Sequence, residues 1–591
     1  MDHFKINTRD LFFILKAQLN YGQLCDFDRY KDLDEKALDL LVNEAVKFAR
    51  GVVAPLQALS EDPGVTFGNN QVACPPAFKT AFKKYGQDGW TAAARDLEYG
   101  GSGFPLMMRI VVNDIMYGAC QSFNMAPSLT HGAAHLIESF ASDDLKALFV
   151  PKMFDGTWAG TMALTEPGAG SDLGALEASA RRENDHYKLK GTKIFISWGD
   201  HDLTDNIVHL VLARIDGAPP GIKGISLFIV PKYRVNPDGS PGESNDVICG
   251  GIEAKLGLHG SPTCTLNFGT NDGCEAYLCG EENRGLAHMF QMMNQARINT
   301  GVSGMAIAAT AYQNVLAYAR ERRQGRDLTG RQSGSVPIIQ HPDVKRMLLW
   351  MKAVTDGMRS LVYTAAFWSD MADQHPDASQ REHYTDLLDF FTPIVKAYCS
   401  DMGFRVCETA MQCMGGYGYI KDFPVEQYLR DVKILSLYEG TNGIQAMDLM
   451  GRKMRIKDGT LLTRFSDEIM RFCRSHADYG PVNALEHATR EIVEGARQLG
   501  GLQSEDPLLW GANATPALMC LSEVAVCWRL LDMAVIAAQQ IEAGKGPGEF
   551  YEGKIRQARF FAETVLPHSA ARMKTCLKKG RDIADIPLDE F

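Results

Sequence analysis

The first residue of this chain that could do chemistry is a glutamate at a glycine-rich break. Glu439 stands in LYEGTNGIQ, Leu437 to Gln445, between two segments that otherwise read as helical. A glutamate on an exposed loop is ordinarily just solvated. One held where a loop enters the interior is different, because desolvation disfavours its ionised form and raises its pKa, which makes a usable base near neutral pH. Two further stretches carry suitable groups. TMALTEPGAGSD, Thr161 to Asp172, offers hydroxyls and unshielded backbone N–H groups at Thr165, Gly168, Gly170 and Ser171. Such a loop holds a polar ring edge or a phosphate, although alone it reads first as a tight turn. In KIFISWGDHD, Lys193 to Asp202, strand alternation sets Phe195 and Ser197 on one face and Ile194 and Ile196 on the other. An aromatic with a hydroxyl two residues on suits stacking on a planar cofactor with a bond to its edge. In isolation a core Phe and a solvated Ser is the plainer reading.

These residues must be positioned by three kinds of region. The early chain reads helical: after Asp34, a good N-cap, Leu38, Leu41, Val42, Ala45 and Val46 recur at helical spacing. Similar spacing appears at Ala77 to Tyr85, Met107 to Tyr117 and Ala133 to Phe149. Near residue 160 the texture changes. His186 to Ser197, Asn206 to Ile215, Gly224 to Val230 and Cys264 to Phe268 are rich in β-branched and aromatic residues punctuated by turn formers, which predicts a small all-β unit. Helical spacing resumes near Gly285, with Leu387, Leu388, Phe391, Ile394, Val395 and Tyr398 on one face. Gly415 and Gly416 end a helix, and a fresh one begins near Pro424. Beyond Lys453, helices are expected over Ser466–Ala477, Pro481–Leu499, Pro516–Ala543 and Glu552–Lys578, the last kinked at Pro567. The apolar run Pro516 to Ala538 is expected to pack onto the body or a second subunit rather than a membrane. The resulting division is a helical domain over 1–158, a β domain over 159–280, a helical bundle over 281–455 and a helical extension over 456–591.

Composition bounds the function. At 591 residues several packed units are expected, and 45% apolar with 23% charged content is ordinary for a globular protein. A net charge of −11 disfavours nucleic acid or an anionic membrane as the main partner. Fourteen scattered cysteines without a CxxC pair read as reduced, buried thiols in a cytoplasmic setting, with no metal site. The apolar run near the N-terminus is too short for a signal peptide, no window reaches the length of a membrane span, and LDEF at the end is no recognised address.

Taken together, TEPGAGSD, KIFISWG and YEGT, in this order and over this plan, closely resemble the acyl-CoA dehydrogenase family across roughly residues 35 to 455. The helical extension is similar to the large subgroup that includes 3-methylmercaptopropionyl-CoA dehydrogenases and long bacterial fatty-acyl-CoA dehydrogenases. The resemblance implies an α+β multidomain fold: an N-terminal helical domain, a barrel-like β domain, a four-helix bundle and the extra helical domain. It implies FAD, with Met162, Leu164, Thr165 and Ser171 lining the flavin and Ser171 also the acyl-CoA site. Phe195 and Ser197 would pack on the isoalloxazine, and Gln412, Gly415 and Gly416 would hold the diphosphate and adenosine part, from a neighbouring subunit. Thr441 and Gly443 would also touch FAD; Arg322 matches a cross-subunit contact. Arg297, Tyr438, Glu439 and Gly440 would meet the substrate. Glu439 would take the pro-R α-proton while hydride leaves the β-carbon for flavin N5, as in β-oxidation of fatty acids. The Glu439 N–H and the ribityl 2′-hydroxyl would stabilise the thioester oxygen, and Gly440 would let base and N–H face the substrate together.

Departures matter too. Members that carry the glutamate on the earlier helix have it where Ala296 stands here, which leaves Glu439 as the candidate base. Asn294 replaces an acidic residue three before Arg297, and ERRQGR, Glu321 to Arg326, keeps Arg322 but not the Thr and Phe that often follow. His259 reads as a structural histidine in a turn. Alternatives are an acyl-CoA oxidase, which a peroxisomal terminus would favour, a nitroalkane oxidase, which Glu439 in place of Asp argues against, and a non-catalytic flavoprotein scaffold. The expected acceptor is electron-transfer flavoprotein, and the expected assembly a homodimer.

Overall fold

The computed structural model describes residues 3–271, 273–578 and 582–591. They divide into two compact units, one running from Leu38 to Ala296 and the other joining the residues up to Ala37 to Arg297–Phe591.

In the first unit, a short strand pair, Thr66–Gly68 with Gln71–Ala73, is followed by helices Pro76–Gln87, Leu106–Ala119, Gln121–Phe140 and Asp143–Phe154, which precede the main sheet. Two of these replace the single helix expected over Ala133 to Phe149. The break is at Ala141 and Ser142, both extended, and Asp143 and Asp144 start the new helix where acidic side chains favour its N-terminus. The expected strands are found at His186–Ser197, Asn206–Ile215, Ile225–Pro231 and Thr263–Phe268. Four more join their sheet: Trp158–Ala163, Ser179–Glu183, Val247–Ile252 and Glu275–Leu278. Ser179–Glu183 pairs with both His186–Ser197 and Asn206–Ile215, and Glu275–Leu278 and Ile225–Pro231 connect those two strands the other way round. Five strands therefore close into a ring, which removes their free edges. Trp158–Ala163 lies parallel to Asn206–Ile215 and is almost wholly buried, so its sequence lacks the alternation of a half-exposed strand.

One expectation within the sheet needs correction. Alternation does not run through KIFIS, because pairing shifts from Cys264 opposite Ile196 to Leu266 opposite Lys193. This β-bulge puts Phe195 at φ +57°, leaves it 59% exposed, and buries Lys193 and Ile196, three residues apart.

The second unit is helical apart from a short strand pair, Arg323–Arg326 with Ser335–Pro337. Its long helices are the part of Gly285–Glu321 from Arg297 onward, Pro342–Gln374 and Ala378–Met414. Gly304 permits the first and third to approach closely, since a Cβ there would meet the Cys399 carbonyl oxygen at 2.5 Å. Helices Thr460–Ser475, Gly480–Glu505, Pro507–Glu542, Gly548–Thr564 and Leu566–Cys576 form the C-terminal region. Pro567, in the first turn of Leu566–Cys576, splits the expected final helix in two rather than kinking it. The apolar Pro507–Glu542 helix is buried within the unit: Val526 packs where Gly357 leaves room, and Trp528 lies against Trp368 and Phe391. Among the described residues no helix is long and apolar enough to cross a membrane.

Candidate active site

Glu439 occupies a turn built by strain and clamped by an amide. The short helix Lys433–Ser436 ends before it, and Asn442–Met447 begins after it. Glu439 has φ +58° and Gly440 φ +79°, two successive left-handed residues that reverse the chain. A non-glycine residue in that region is costly and persists only where its surroundings hold it. Thr441 caps the following helix, its Oγ1 accepting from the Ile444 N–H at 3.2 Å. Buried Gln445 donates from Nε2 to the carbonyl oxygens of Glu439 and Gly440, at 3.2 and 3.3 Å. Sequence reading passed over Gln445, although its place one turn after the glycine break was the available signal.

Glu439 is half-buried, and the charges of Arg297 and Lys396 act on its carboxyl. Desolvation raises its pKa above the ordinary value, while Arg297 and then Lys396 pull in the opposite direction. Arg297 is buried and pairs with Asp448 at 3.4 Å, and its charge also acts on Glu439. Lys396, on Ala378–Met414, was not foreseen. It is completely buried, its Nζ donates to Asn442 Oδ1 at 2.9 Å, and burial draws its pKa down to about 8. A lone lysine in an otherwise apolar helical run is hard to distinguish in sequence from a surface residue.

On the same unit, Arg322 and the Gly415–Gly416 break lie close together. Helix Ala378–Met414 ends at Gly415, at φ +62°, and the Arg322 guanidinium sits over the ring of Tyr417, 5.5 Å from its centroid. Gln412, Gly415, Gly416 and Arg322 are all exposed. A Cβ added at Gly415 or Gly416 would meet nothing within 4 Å, so the backbone there is open to a large ligand. Tyr438 and Thr441 are half-buried, and Gly443 is exposed.

In the first unit, the TEPGAGSD loop is tied to the strand that carries Phe195 and Ser197. The Ile194 N–H donates to the Thr165 carbonyl at 2.9 Å. Beneath them lies a buried ion pair that sequence reading missed. Lys193 Nζ donates to Glu166 Oε1 at 2.7 Å and to the Leu164 carbonyl at 2.9 Å. The Glu166 carboxylate also accepts from the N–H groups of Glu177 and Ala178, at 2.6 and 3.0 Å. Thus Leu164, Thr165, Phe195 and Ser197 are fixed in one assembly. Met162 and Leu164 pack against the core, whereas Ser171 and its neighbours Gly168 and Gly170 are exposed. Trp198, at φ +55°, follows and anchors the strand end by donating from Nε1 to the Ser122 carbonyl at 3.2 Å. His259 accords with a structural role: it pairs with Glu61 at 3.1 Å, and its Nε2 lies 2.8 Å from the Lys255 carbonyl.

Comparison with known proteins places these features in context. Family models match the chain in series: acyl-CoA dehydrogenase N-terminal domain over 36–157, middle domain over 161–270, C-terminal domain over 283–454, and acetyl-CoA dehydrogenase C-terminal like over 465–587. The chain is 37% identical to 3-methylmercaptopropionyl-CoA dehydrogenase of Ruegeria pomeroyi, over 95% of this chain and 96% of that one. It is also 37% identical to a butyryl-CoA dehydrogenase of Syntrophomonas wolfei, over 100% and 99% respectively. Its fold is similar to that of an acyl-CoA dehydrogenase complexed with FAD from Bacillus anthracis, with a TM-score of 0.72 at 20% identity, covering 96% of this chain and 93% of that chain.

Proposed function

Because the chain belongs to the acyl-CoA dehydrogenase family of FAD-dependent oxidoreductases, we propose that it converts an acyl-CoA thioester to the trans-2-enoyl-CoA with Glu439 as the base. The observation that carries the proposal is the clamped left-handed turn, which holds a carboxyl of raised pKa beside Arg297 and Lys396. An α-proton of a thioester is only weakly acidic. A base whose pKa burial raises above the ordinary carboxylate value meets that demand better than a solvated one. Glu439 takes the proton as the α-carbon bond breaks, and its backbone N–H stabilises negative charge on the thioester oxygen. Arg297, Tyr438 and Gly440 lie beside the base, in helix and turn, and would contact the substrate, as would Ser171.

The residues present fit FAD. An isoalloxazine ring needs an apolar surface for its face and hydrogen-bonding groups at its edge. Phe195 offers an exposed ring, with Thr165 and Ser197 half-buried near it in sequence and in the sheet. Met162, Leu164 and Ser171 would complete that side, Thr441 and Gly443 would also touch FAD, and Gln412, Gly415, Gly416 and Arg322 would hold FAD of the neighbouring subunit, as the resemblance implies. FAD, when bound, accepts the hydride released from the β-carbon.

The same reading extends to partners and setting. Electron-transfer flavoprotein is the proposed acceptor and a homodimer the proposed form, the latter following from the cross-subunit FAD contacts that the family resemblance implies. Segments 1–158, 159–280, 281–455 and 456–591 are the proposed domains. A cytoplasmic setting is supported by the cysteines, of which all but Cys25 are buried and none is paired. The test is anaerobic mixing of the FAD-loaded protein with a panel of acyl-CoAs. Bleaching of the flavin absorbance by at least one of them is expected, with slow return in air. No bleaching would refute the activity, and rapid return with peroxide formation would make the protein an oxidase.

A further inference from the structure

In the first unit, helix Gln121–Phe140 carries a row of buried polar side chains that the proposed reaction does not use. Gln121, Asn124, Ser128 and His131 recur at i, i+3, i+7 and i+10, which sets them on one narrow face over about 15 Å of helix. Gln121, Asn124 and His131 are 2%, 0% and 1% exposed. Among the described residues, both amide atoms of Gln121, both of Asn124, Ser128 Oγ and His131 Nε2 are buried without a hydrogen-bond partner. Beside Thr91, which bonds to His131, Trp90 Nε1 is a further buried donor without an acceptor. Elsewhere on the helix, packing and bonding are complete. Thr130 Oγ1 accepts from the Gly160 N–H at 3.1 Å, and the Phe123 ring lies edge-on to Phe78. Buried polar groups in native proteins are nearly always bonded, so four unmet ones on a single face mark a surface shaped for a polar occupant.

His131 shows what that occupant must offer. Its Nδ1 lies 2.8 Å from the Thr91 carbonyl oxygen, which can only accept, so Nδ1 carries the proton. Burial, with the charges of Arg109 and Arg95, keeps the ring neutral and leaves Nε2 as a bare acceptor. The two amides add both donors and acceptors. A hydroxyl, which donates and accepts, suits every one of these groups, whereas an alkyl chain suits none. The row also starts at the flavin side of the proposed site. The Ser122 carbonyl, next to Gln121, accepts from Trp198 Nε1 at 3.2 Å, and Trp198 directly follows Ser197. We propose that this face of the helix is a subsite for the acyl group, and that the substrate is an acyl-CoA whose chain carries a hydroxyl beyond the β-carbon. The proposal rests on the acyl-CoA dehydrogenase reading above and names its substrate class.

Two measurements on the FAD-loaded protein test it. In the first, kcat/KM is compared for matched acyl-CoAs at several chain lengths: a plain alkyl chain, the same chain ending in a hydroxyl, and one ending in a carboxyl. At one length or more the hydroxyl-bearing chain is expected to be preferred over the alkyl chain by about tenfold or more, because the plain chain leaves the buried groups unpaired. Asn124→Leu, which removes an amide and keeps the size, should cut that preference by about threefold or more. Ser128→Ala takes its place should Asn124→Leu not fold. Absence of a hydroxyl preference at every length would overturn the proposal and leave the face to structural water. So would a preference that the variants leave unchanged, and a carboxyl-tipped chain preferred over the hydroxyl would overturn the choice of hydroxyl. The second measurement needs no turnover. Calorimetric titration with the corresponding alkyl and hydroxyalkyl CoA thioethers, which lack the thioester carbonyl, makes the same comparison. If no acyl-CoA of any kind bleaches the flavin, the dehydrogenase reading fails and the titration still decides. Tighter binding of the hydroxyalkyl thioether supports the subsite, and equal, weaker or absent binding overturns it.

Discussion

Lys193→Met would remove the cation from a buried pair beneath the TEPGAGSD loop. In the folded chain Lys193 is 0% exposed and bonds both Glu166 and the Leu164 carbonyl. Removing one partner of a buried ion pair costs about 3–5 kcal/mol, since the other charge is left uncompensated. Here the Glu166 carboxylate keeps two backbone donors, Glu177 and Ala178, which places the cost at the low end, about 3 kcal/mol. The effect is local, and local opening is what hydrogen exchange reads. The Ile194 N–H, bonded to the Thr165 carbonyl, reports on whether the loop and strand are joined. Exchange measured by mass spectrometry in a peptide containing Ile194 should accelerate on the order of 100-fold in Lys193→Met. Lys193→Met combined with Glu166→Gln removes both charges, and should recover at least about 1 kcal/mol of the loss. An Ile194 exchange rate within threefold of wild type in the single variant would refute the stapling role of the pair. A double variant no better than the single would refute its electrostatic origin.

Other consequences are simpler to state. Phe195→Ala should leave the stability of the FAD-free protein nearly unchanged, because the ring is largely exposed, yet weaken FAD binding about threefold to tenfold by loss of a stacking surface, as fluorescence titration would measure. Gly440→Ala puts a Cβ 2.8 Å from Gln445 Nε2 at a φ of +79°, so it should cost about 1–2 kcal/mol in unfolding experiments and lower kcat at least tenfold by moving the base. The pH profile of kcat/KM should show an acidic limb above the ordinary glutamate value of 4.5, with activity lost as the pH falls through it, because a raised pKa protonates the base earlier on descent.

The chemistry-bearing residues were more legible than the groups that support them. YEGT displayed a carboxylate at a glycine turn, and the structure gives that turn two left-handed residues in succession. The β unit was legible where strands alternate or are β-branched, as in Asn206–Ile215. It was not legible at Trp158–Ala163, whose small residues fit a strand buried on both faces. Phe195 was noticed but its geometry was misread, because a bulge depends on the pairing partner and leaves little trace in one strand's own sequence. Lys193, Glu166, Lys396 and Asn442 escaped for a common reason. Sequence marks them as polar and hence exposed, and only tertiary pairing makes their burial tolerable. The apolar run Pro516 to Ala538 was expected to pack and its unit buries it, although its helix, Pro507–Glu542, starts nine residues before the Pro516 at which the sequence placed its beginning.

The most direct measurement is the single-turnover rate of flavin bleaching in Glu439→Gln, loaded with FAD and mixed anaerobically with an acyl-CoA that bleaches the wild type. Glutamine keeps the shape and cannot take the proton, so the rate should fall at least 100-fold while FAD content stays at the wild-type level. A rate within tenfold of wild type would mean that some other group removes the α-proton.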